Sequence, residues 1–112
     1  MLEDKKRWRL RRDFKKGKFC FLIGIDNWSI ELQKSEFESL YFLLLKINAQ
    51  LLAIKNELMA EESITLVLEQ LPWFIELEGK KNEWSLRFVF ESQDETRSFE
   101  MYWPIPIAQN LF

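Results

Sequence analysis

The sequence contains no histidine, and this absence removes several classes of catalytic and metal site. Histidine is the commonest general base and metal ligand, and it activates serine and cysteine nucleophiles. Cys20 is the only cysteine, so no intramolecular disulfide forms and a zinc site would have to be built from one cysteine and carboxylates. Its neighbours Phe19 and Phe21 predict that Cys20 is a buried, unreactive filler in a strand.

Glycine and proline are also scarce, with three of each in 112 residues. The glycines stand apart from one another, so the chain has no glycine-rich phosphate loop. Carboxylate pairs such as Asp26 with Glu31, or Glu76 with Glu78, are explained more simply by a turn and by the solvated face of a strand. We therefore expect a protein that is not an enzyme and that uses no cofactor and no metal.

Apolar residues are plentiful by contrast, at 47% of the chain, and aromatic residues make up 15%. A chain of this length and composition can build a hydrophobic core, and it shows no break in composition. We expect one domain over residues 1–112. No secretory leader and no uninterrupted apolar run of membrane-spanning length is visible, so the expectation is a cytoplasmic protein without a membrane partner.

Positive charge is concentrated at the start of the chain. Nine of the sixteen lysines and arginines lie in the first eighteen residues, whereas from Phe19 onward seven basic residues face fifteen acidic ones. The net charge of −2 conceals this asymmetry. A basic start can attract an anionic partner to one edge of a domain, although it does not identify that partner.

Three segments before residue 34 show the alternation of β-strands. In the first, Arg7, Arg9 and Arg11 share one parity, while apolar Trp8 and Leu10 share the other. This pattern predicts a half-buried strand with a row of arginines on its outward face. The other two strands are predicted at residues 18–25 and 28–33.

A long helix is the strongest local prediction. Ser35 and Glu38 have the spacing of a capping box, so the helix should begin there and extend to about residue 59. Its buried stripe is predicted from three- and four-residue spacing as Phe37, Leu40, Leu44, Ile47, Leu51, Ile54 and Leu58. Three further apolar residues widen this stripe: Tyr41, Leu45 and Leu52. A stripe this broad favours packing on a sheet over pairing of two such helices.

The rest of the chain returns to period two and predicts four more strands. They fall within residues 64–69, 74–78, 84–91 and 99–103, and residues 107–112 show the start of a second helical pattern. Neighbouring strands without alternating helices predict an α+β fold. We expect antiparallel sheets of about seven strands in two meander-plus-helix units, with one long helix (about 35–59) packed on the sheet.

Basic residues interleaved with aromatic residues suggest single-stranded nucleic-acid binding, which needs a basic groove and aromatic stacking faces. The candidate phosphate contacts are Arg7, Arg9, Arg11, Lys16 and Lys18. Trp8 and Phe14 lie on the parity opposite to the arginines, so they are more simply core residues. An alternative is equally consistent with the pattern: basic residues on an edge strand discourage edge-to-edge aggregation.

Exposed aromatic residues suggest a protein interface instead. Trp73 follows Pro72 at a bend and is expected to be partly exposed, and together with Phe74 and Tyr102 it forms the candidate contact. The outward parity of the later strands is acidic and carries Glu69, Glu76, Glu78, Glu91 and Glu100. Trp28, Trp84 and Trp103 are assigned to the core by their inward parity.

Lys16-Gly17-Lys18 followed by Phe19-Cys20-Phe21 resembles the start of the Lys-Gly-Lys-Ala-Ala-Leu motif of the Whirly-type single-stranded-DNA-binding transcriptional regulators. Aromatic residues and Cys20 stand where that motif has small residues. The doubled order of meander and helix is similar to the Whirly domain. The arginine-tryptophan start and the Trp/Phe-rich second half resemble a small uncharacterised cyanobacterial family with a related fold. This resemblance implies the fold, and implies DNA binding only by analogy.

Three functional hypotheses follow from the sequence. The first is weak single-stranded nucleic-acid binding through the basic first hairpin. The second is a protein-interaction or assembly module that uses exposed aromatic residues and the acidic sheet face, and the third is a small-ligand pocket between helix and sheet. A homodimer is also left open, because an edge strand or a C-terminal helix can pair with another copy.

Overall fold

The computed structural model describes residues 2–5, 8–13, 17–25, 28–92, 94 and 96–105, and for Leu2–Lys5, Trp8, Ile25 and Trp28 it describes the backbone. These residues form eight strands and one helix: β1 (Leu2–Lys5), β2 (Trp8–Arg12), β3 (Phe21–Ile25), β4 (Trp28–Leu32), α1 (Lys34–Lys55), β5 (Ile64–Gln70), β6 (Trp73–Lys80), β7 (Glu83–Glu91) and β8 (Ser98–Trp103). The chain divides into two compact units, Met1–Glu38 and Ser39–Phe112. The predicted α+β class is confirmed. The predicted second helix at 107–112 lies outside the described residues.

The first unit contains an antiparallel meander in the order β1-β2-β3-β4. Its inward face pairs Leu10 of β2 with Ile23 of β3 and Ile23 with Ile30 of β4. Phe21, Ile23 and Leu32 are buried, as the alternation predicts. Phe37, in the first turn of α1, stacks on Phe21 with the ring centroids 4.3 Å apart. β1 adds an edge strand that the sequence pattern did not reveal.

Helix α1 begins one residue earlier than predicted and uses a different cap. The backbone N–H of Gln33 donates to Glu36 Oε1 at 2.8 Å, and the N–H of Phe37 donates to the Gln33 carbonyl at 3.0 Å. Gln33 is therefore the N-cap residue, and the predicted capping box of Ser35 and Glu38 is wrong, because Ser35 already lies in the first turn. The helix also ends before residue 59, since Glu57 N–H bonds the Ile54 carbonyl in a tighter turn.

The buried stripe of α1 is narrower than predicted. Leu40, Leu43, Ile47 and Leu51 are buried, and within the second unit this side of α1 packs against the second sheet. The three residues predicted to widen the stripe are about half exposed: Tyr41 is 55% exposed, Leu45 50% and Leu52 58%. At about 100° of rotation per residue they lie well away from the line through Leu40 and Ile47. The broad buried face predicted for α1 is therefore wrong.

By length and composition, α1 is also apolar enough to cross a membrane, with a mean hydropathy of 1.4 over an 18-residue window. The core helix of a folded protein passes the same test. Here the stripe through Leu40 and Ile47 is buried by the protein itself, and the ammonium group of Lys46 lies over the Phe42 ring, 5.4 Å from its centroid. These contacts agree with a helix that belongs to a folded unit.

The second unit contains an antiparallel meander in the order β5-β6-β7-β8, with longer strands and an aromatic core. Its inward residues are buried and include Trp73, Ile75, Leu77, Trp84, Leu86, Phe88, Phe90, Met101 and Trp103. Trp73 packs edge-on against Phe90 at 4.8 Å, and Phe90 stacks on Phe99 at 4.7 Å between ring centroids. The predicted core positions of Trp84 and Trp103 are confirmed, whereas the side chain of Trp28 lies outside the described part.

The β6–β7 hairpin depends on Gly79. Its φ is +149°, a conformation that L side chains rarely adopt, and a Cβ there would meet the carbonyl oxygen of Glu83 and the Cα of Trp84, the latter at 2.7 Å. Both obstacles are backbone atoms, so they cannot be relieved by a change of rotamer. The hairpin turn after Lys80 therefore requires glycine at this position.

The β7–β8 turn is closed by Asp94. Its Oδ1 accepts hydrogen bonds from Ser92 Oγ at 2.8 Å, from Thr96 Oγ1 at 2.7 Å and from Thr96 N–H at 3.1 Å. The hydroxyl donors of Thr96 and Ser92, together with the Thr96 N–H, stabilise the ionised carboxylate and lower the pKa of Asp94 to about 2. The carboxylate is therefore part of the turn's structure.

Candidate functional site

The described part of β2 presents the predicted arginine side chains on its outward face. Arg9 is half-buried and stands opposite Gly24, and Arg11 is exposed and stands opposite Leu22. Their parity is opposite to that of inward Ile23, which confirms the predicted orientation of these two arginines. Lys18 is exposed as well, with its ammonium group 5.7 Å from the centroid of the Phe19 ring. Arg7 and Lys16 lie outside the described residues.

The surroundings of β2 change the interpretation of its arginines. β2 pairs with β1 on one side and with β3 on the other, so it is an internal strand. The hypothesis that its arginines protect a sheet edge is therefore wrong. Arg11 forms an ion pair with Asp13 at 4.0 Å, which neutralises part of the positive charge. Stacking partners for bases are sparse in the described part of this unit, where Phe19 and Phe37 are half-buried and Phe21 is buried.

The outward face of the second sheet carries several charged side chains. We call it the acidic face, defined by the carboxylates of Glu69, Glu76, Glu78, Glu91 and Glu100 around the single guanidinium of Arg87. Apolar side chains lie among these charges. Val67 is 48% exposed and Tyr102 is 53% exposed, while Phe74 and Val89 are half-buried.

Arg87 organises the centre of the acidic face. Its Nε lies 3.5 Å from Glu76 Oε1, and its Nη1 lies 3.6 Å from Glu100 Oε1. The guanidinium carbon is 5.4 Å from the centroid of the Phe74 ring, a distance typical of a cation–π contact. Strand register explains this arrangement, since Arg87 stands directly between Glu76 and Tyr102 on neighbouring strands. The side chains at the centre of the acidic face are therefore held by contacts with Arg87. The carboxylates of this face outnumber its single guanidinium, so the face keeps a net negative charge.

The predicted interface residues separate into two groups. Trp73 is 1% exposed, so its predicted partial exposure is wrong. It is paired with Phe90 in the register, which places it on the inward face although Pro72 immediately precedes it. Phe74 and Tyr102 do lie on the outward face, half-buried and exposed respectively. Two of the three candidate residues therefore contribute to the acidic face.

A shallow depression of about 440 Å³ lies beside Arg87 on this surface. It is lined by Glu76, Glu78, Gly79, Ser85, Arg87, Tyr102 and Ile105. Carboxylates on one side and the apolar surfaces of Tyr102 and Ile105 on the other match a side chain that has an aliphatic stem and a cationic end. This depression lies on the outward face of the sheet, away from the interior position expected for a ligand pocket between helix and sheet.

Among the described residues, histidine, cysteine and acidic side chains form no group of three or more that could hold a metal ion. Sequence reasoning identified the acidic strand positions but missed the role of Arg87. The signal was present, because Arg87 is the lone basic residue on the outward parity of its strand.

Residues 3–112 match the domain of unknown function DUF1818, and the chain therefore belongs to this uncharacterised family. The fold is similar to a crystal structure from Prochlorococcus sp. NATL2A, described as a protein with unknown function from the DUF155 family. The two share 34% sequence identity with a TM-score of 0.91, covering 99% of this chain and 92% of the other. No curated protein matches the chain. The cyanobacterial source of the similar structure agrees with the predicted resemblance to an uncharacterised cyanobacterial family.

Proposed function

We propose that the protein is a non-enzymatic protein-interaction module whose contact surface is the acidic face of the second sheet. One observation carries the proposal: exposed Tyr102 and Val67 lie among an excess of carboxylates centred on Arg87. Exposed apolar side chains supply contact area, and the surrounding charges select the partner. The partner expected for this surface is a protein segment that combines basic residues with an aliphatic or aromatic residue.

The ordered centre favours binding over simple solubility. Arg87 holds Glu76 and Glu100 through ion pairs and lies over the Phe74 ring, so these side chains lose little freedom when a partner docks. A surface organised before binding avoids part of the entropy cost of association. Glu78 and Glu69 are exposed at its margin, where they can attract a basic segment at long range.

Two exposed apolar residues provide a matched test. Tyr102 lies on the acidic face and is 53% exposed, and Met59 lies between α1 and β5 and is 74% exposed. A photo-crosslinking amino acid placed at position 102 in the cell of origin is expected to capture a specific protein, which the same probe at position 59 does not capture. Equal capture of that protein from both positions would overturn the proposal.

Charge reversal then tests the chemistry of the contact. Glu78→Lys with Glu100→Lys is expected to abolish capture of the partner at position 102, because both carboxylates lie on the acidic face. Glu57→Lys with Glu62→Lys makes the same change of charge at exposed positions between α1 and β5 and should leave capture intact. If both double variants behave alike, the acidic face is not the contact surface.

A second candidate function, weak single-stranded nucleic-acid binding, is supported by the outward orientation of Arg9 and Arg11 and by the exposure of Lys18. The resemblance to the Whirly-type regulators points in the same direction. The charges are suited to phosphate contact, but Arg11 is already paired with Asp13 and the described aromatic residues nearby are at least half-buried. We therefore rank this function second.

Titration of a labelled single-stranded oligonucleotide at several salt concentrations tests this candidate. Binding should fall with salt with a log-log slope of about −0.7 per phosphate contacted. Arg9→Glu with Arg11→Glu should abolish binding, whereas Lys80→Glu with Lys81→Glu, at the β6–β7 hairpin, should not. Absence of binding at low salt would rule out the candidate.

A further inference from the structure

Helix α1 carries large apolar side chains that are about half exposed to solvent. Four large apolar side chains of the helix are half exposed or more: Tyr41 (55%), Phe42 (51%), Leu45 (50%) and Leu52 (58%). Large apolar side chains gathered on one element mark an interaction surface more often than isolated ones do. The question is which surface would cover them.

The spacing on this face is that of a helix-pairing seam. Starting at Glu38, steps of three and four residues alternate along one side of α1, and we call these positions the helix seam: Glu38, Tyr41, Leu45, Asn48, Leu52 and Lys55. An alternating three-four spacing keeps the same side of a helix in contact with a second helix. The seam therefore has three apolar residues and Asn48 in its middle and one charge of each sign at its ends.

We propose that two copies of this chain associate through the helix seam, with the two α1 helices antiparallel. In this register Tyr41 of one copy lies against Leu52 of the other, and Leu45 lies against Asn48. At each end Glu38 faces Lys55 of the other copy. Because the arrangement is two-fold symmetric, every contact occurs twice and the assembly closes as a dimer.

The end charges select the antiparallel orientation. With the helices parallel, the Glu38 side chains of the two copies would face each other, and so would the two Lys55 side chains. Both ends would then be repulsive. With the helices antiparallel, both ends are attractive. Asn48 is half-buried and places one polar group in the seam. A polar residue at such a position fixes the register of two paired helices and lowers their affinity for each other.

The same charges favour a second copy over a lipid surface. A membrane would cover Leu45 and Leu52 but would provide no specific partner for Asn48 or for the end charges. The seam from Glu38 to Lys55 is about 27 Å long at 1.5 Å per residue. The helix is already held by burial of Leu40 and Ile47, so pairing does not have to supply the free energy of helix formation.

Sedimentation velocity of the full chain over a concentration series tests the dimer. The wild-type protein is expected to dimerise reversibly, and Leu45→Glu is expected to weaken association at least about a hundredfold, because it places a charge at the centre of the contact. Leu71→Glu is the matched control, since Leu71 is 67% exposed outside the helix and should leave association unchanged. Circular dichroism confirms that each variant is folded.

Charge exchange tests the orientation. Glu38→Lys and Lys55→Glu should each weaken association about tenfold, and the double variant should restore it. Parallel helices would instead leave all three variants like the wild type. Asn48→Leu should strengthen association, because it replaces the polar group in the seam by an apolar one. Loss of folding would not produce this increase in dimer affinity.

Three outcomes would overturn the proposal. The first is a wild-type monomer at every concentration, and the second is loss of association in Leu71→Glu equal to that in Leu45→Glu. The third is binding of monomers to phosphatidylcholine vesicles that depends on Leu45 and Leu52, because this would show that a lipid surface covers the seam.

Discussion

The two sheets have the same strand order but carry different charges on their outward faces. β1–β4 and β5–β8 are both antiparallel four-stranded meanders. The first presents Arg9 and Arg11 outward together with a single described glutamate, Glu31, and the second presents an excess of glutamate around Arg87. Shared topology has therefore not produced a shared surface, and function must be argued separately for each sheet.

The interiors differ as well. The described core of the first sheet is formed by medium-sized residues and one aromatic ring, namely Phe21, Ile23 and Leu32. The second sheet buries Trp73, Trp84 and Trp103 together with Phe88 and Phe90. Since the burial of aromatic side chains contributes strongly to stability, we expect the second sheet to be the more sensitive of the two to truncation of inward residues.

The largest expected effect comes from truncating the aromatic core. Trp73→Ala should lower the free energy of unfolding by about 3–5 kcal/mol, because it removes a buried side chain packed on Phe90 and Phe99. Tyr102→Ala, on the outward face of the same sheet, should cost less than about 1 kcal/mol. Chemical denaturation measures both. Similar losses in the two variants would contradict the assignment of inward and outward faces.

The hairpin glycines allow a comparison between the sheets. Gly79→Ala should cost about 2–3 kcal/mol, because the new Cβ meets the backbone of Glu83 and Trp84. Gly17 in the first unit has a φ of +79° but nothing within 4 Å of an added Cβ, so Gly17→Ala should cost only about 1 kcal/mol. Thermal unfolding compares them. An equal cost would show that the crowding at Gly79 relaxes.

The two arginine environments should also differ in stability. Arg87→Met removes two ion pairs and a cation–π contact and should cost about 1 kcal/mol. Arg11→Met removes the 4.0 Å pair between exposed Arg11 and half-buried Asp13 and should cost less than about 0.5 kcal/mol. Denaturation in low and high salt measures these values. A larger loss of stability in Arg11→Met than in Arg87→Met would show that the more stabilising charge contacts lie in the first sheet.

The smallest effect is the pH dependence of the β7–β8 turn. The pKa of Asp94 is lowered to about 2 in the folded protein, so its contribution to stability is present above pH 4 and is lost as the pH falls from about 4 to about 2. Asp94→Asn should therefore be less stable than wild type at neutral pH, and the difference should shrink toward pH 2. A difference independent of pH would show that the ionised carboxylate is not what closes the turn.

Alternation and helical spacing predicted most of this fold because each follows from a buried face. The strands from Ile64 to Trp103 alternate apolar and polar residues, and the structure buries the apolar set. β1 was missed because Leu2–Lys5 has the sequence LEDK, which carries no apolar alternation. The predicted N-cap of α1 was two residues too late. Gln33 with Glu36 and Ser35 with Glu38 have the same spacing in the sequence, and the hydrogen bond from the Gln33 N–H to Glu36 Oε1 distinguishes them in the structure.

The candidate site was predicted only in part, because exposure depends on register. Pro72 suggested a bend that would expose Trp73, but pairing with Phe90 places the indole inward. Tyr41, Leu45 and Leu52 look like core residues in the sequence, but in the structure they are about half exposed because they lie away from the buried line through Leu40 and Ile47. Arg87 is visible in the sequence as the lone basic residue on the outward parity of its strand, but its contacts with two neighbouring strands depend on the register of the sheet.

The strand order has a consequence for how the chain folds. In both sheets every described pairing joins strands that are consecutive in the sequence, from β1 with β2 to β7 with β8. Contacts between consecutive strands close short loops, so little chain entropy is lost before each pairing is formed. Domains with such local contacts fold faster than β-proteins whose paired strands are distant in sequence. We therefore expect each meander to assemble rapidly, hairpin by hairpin.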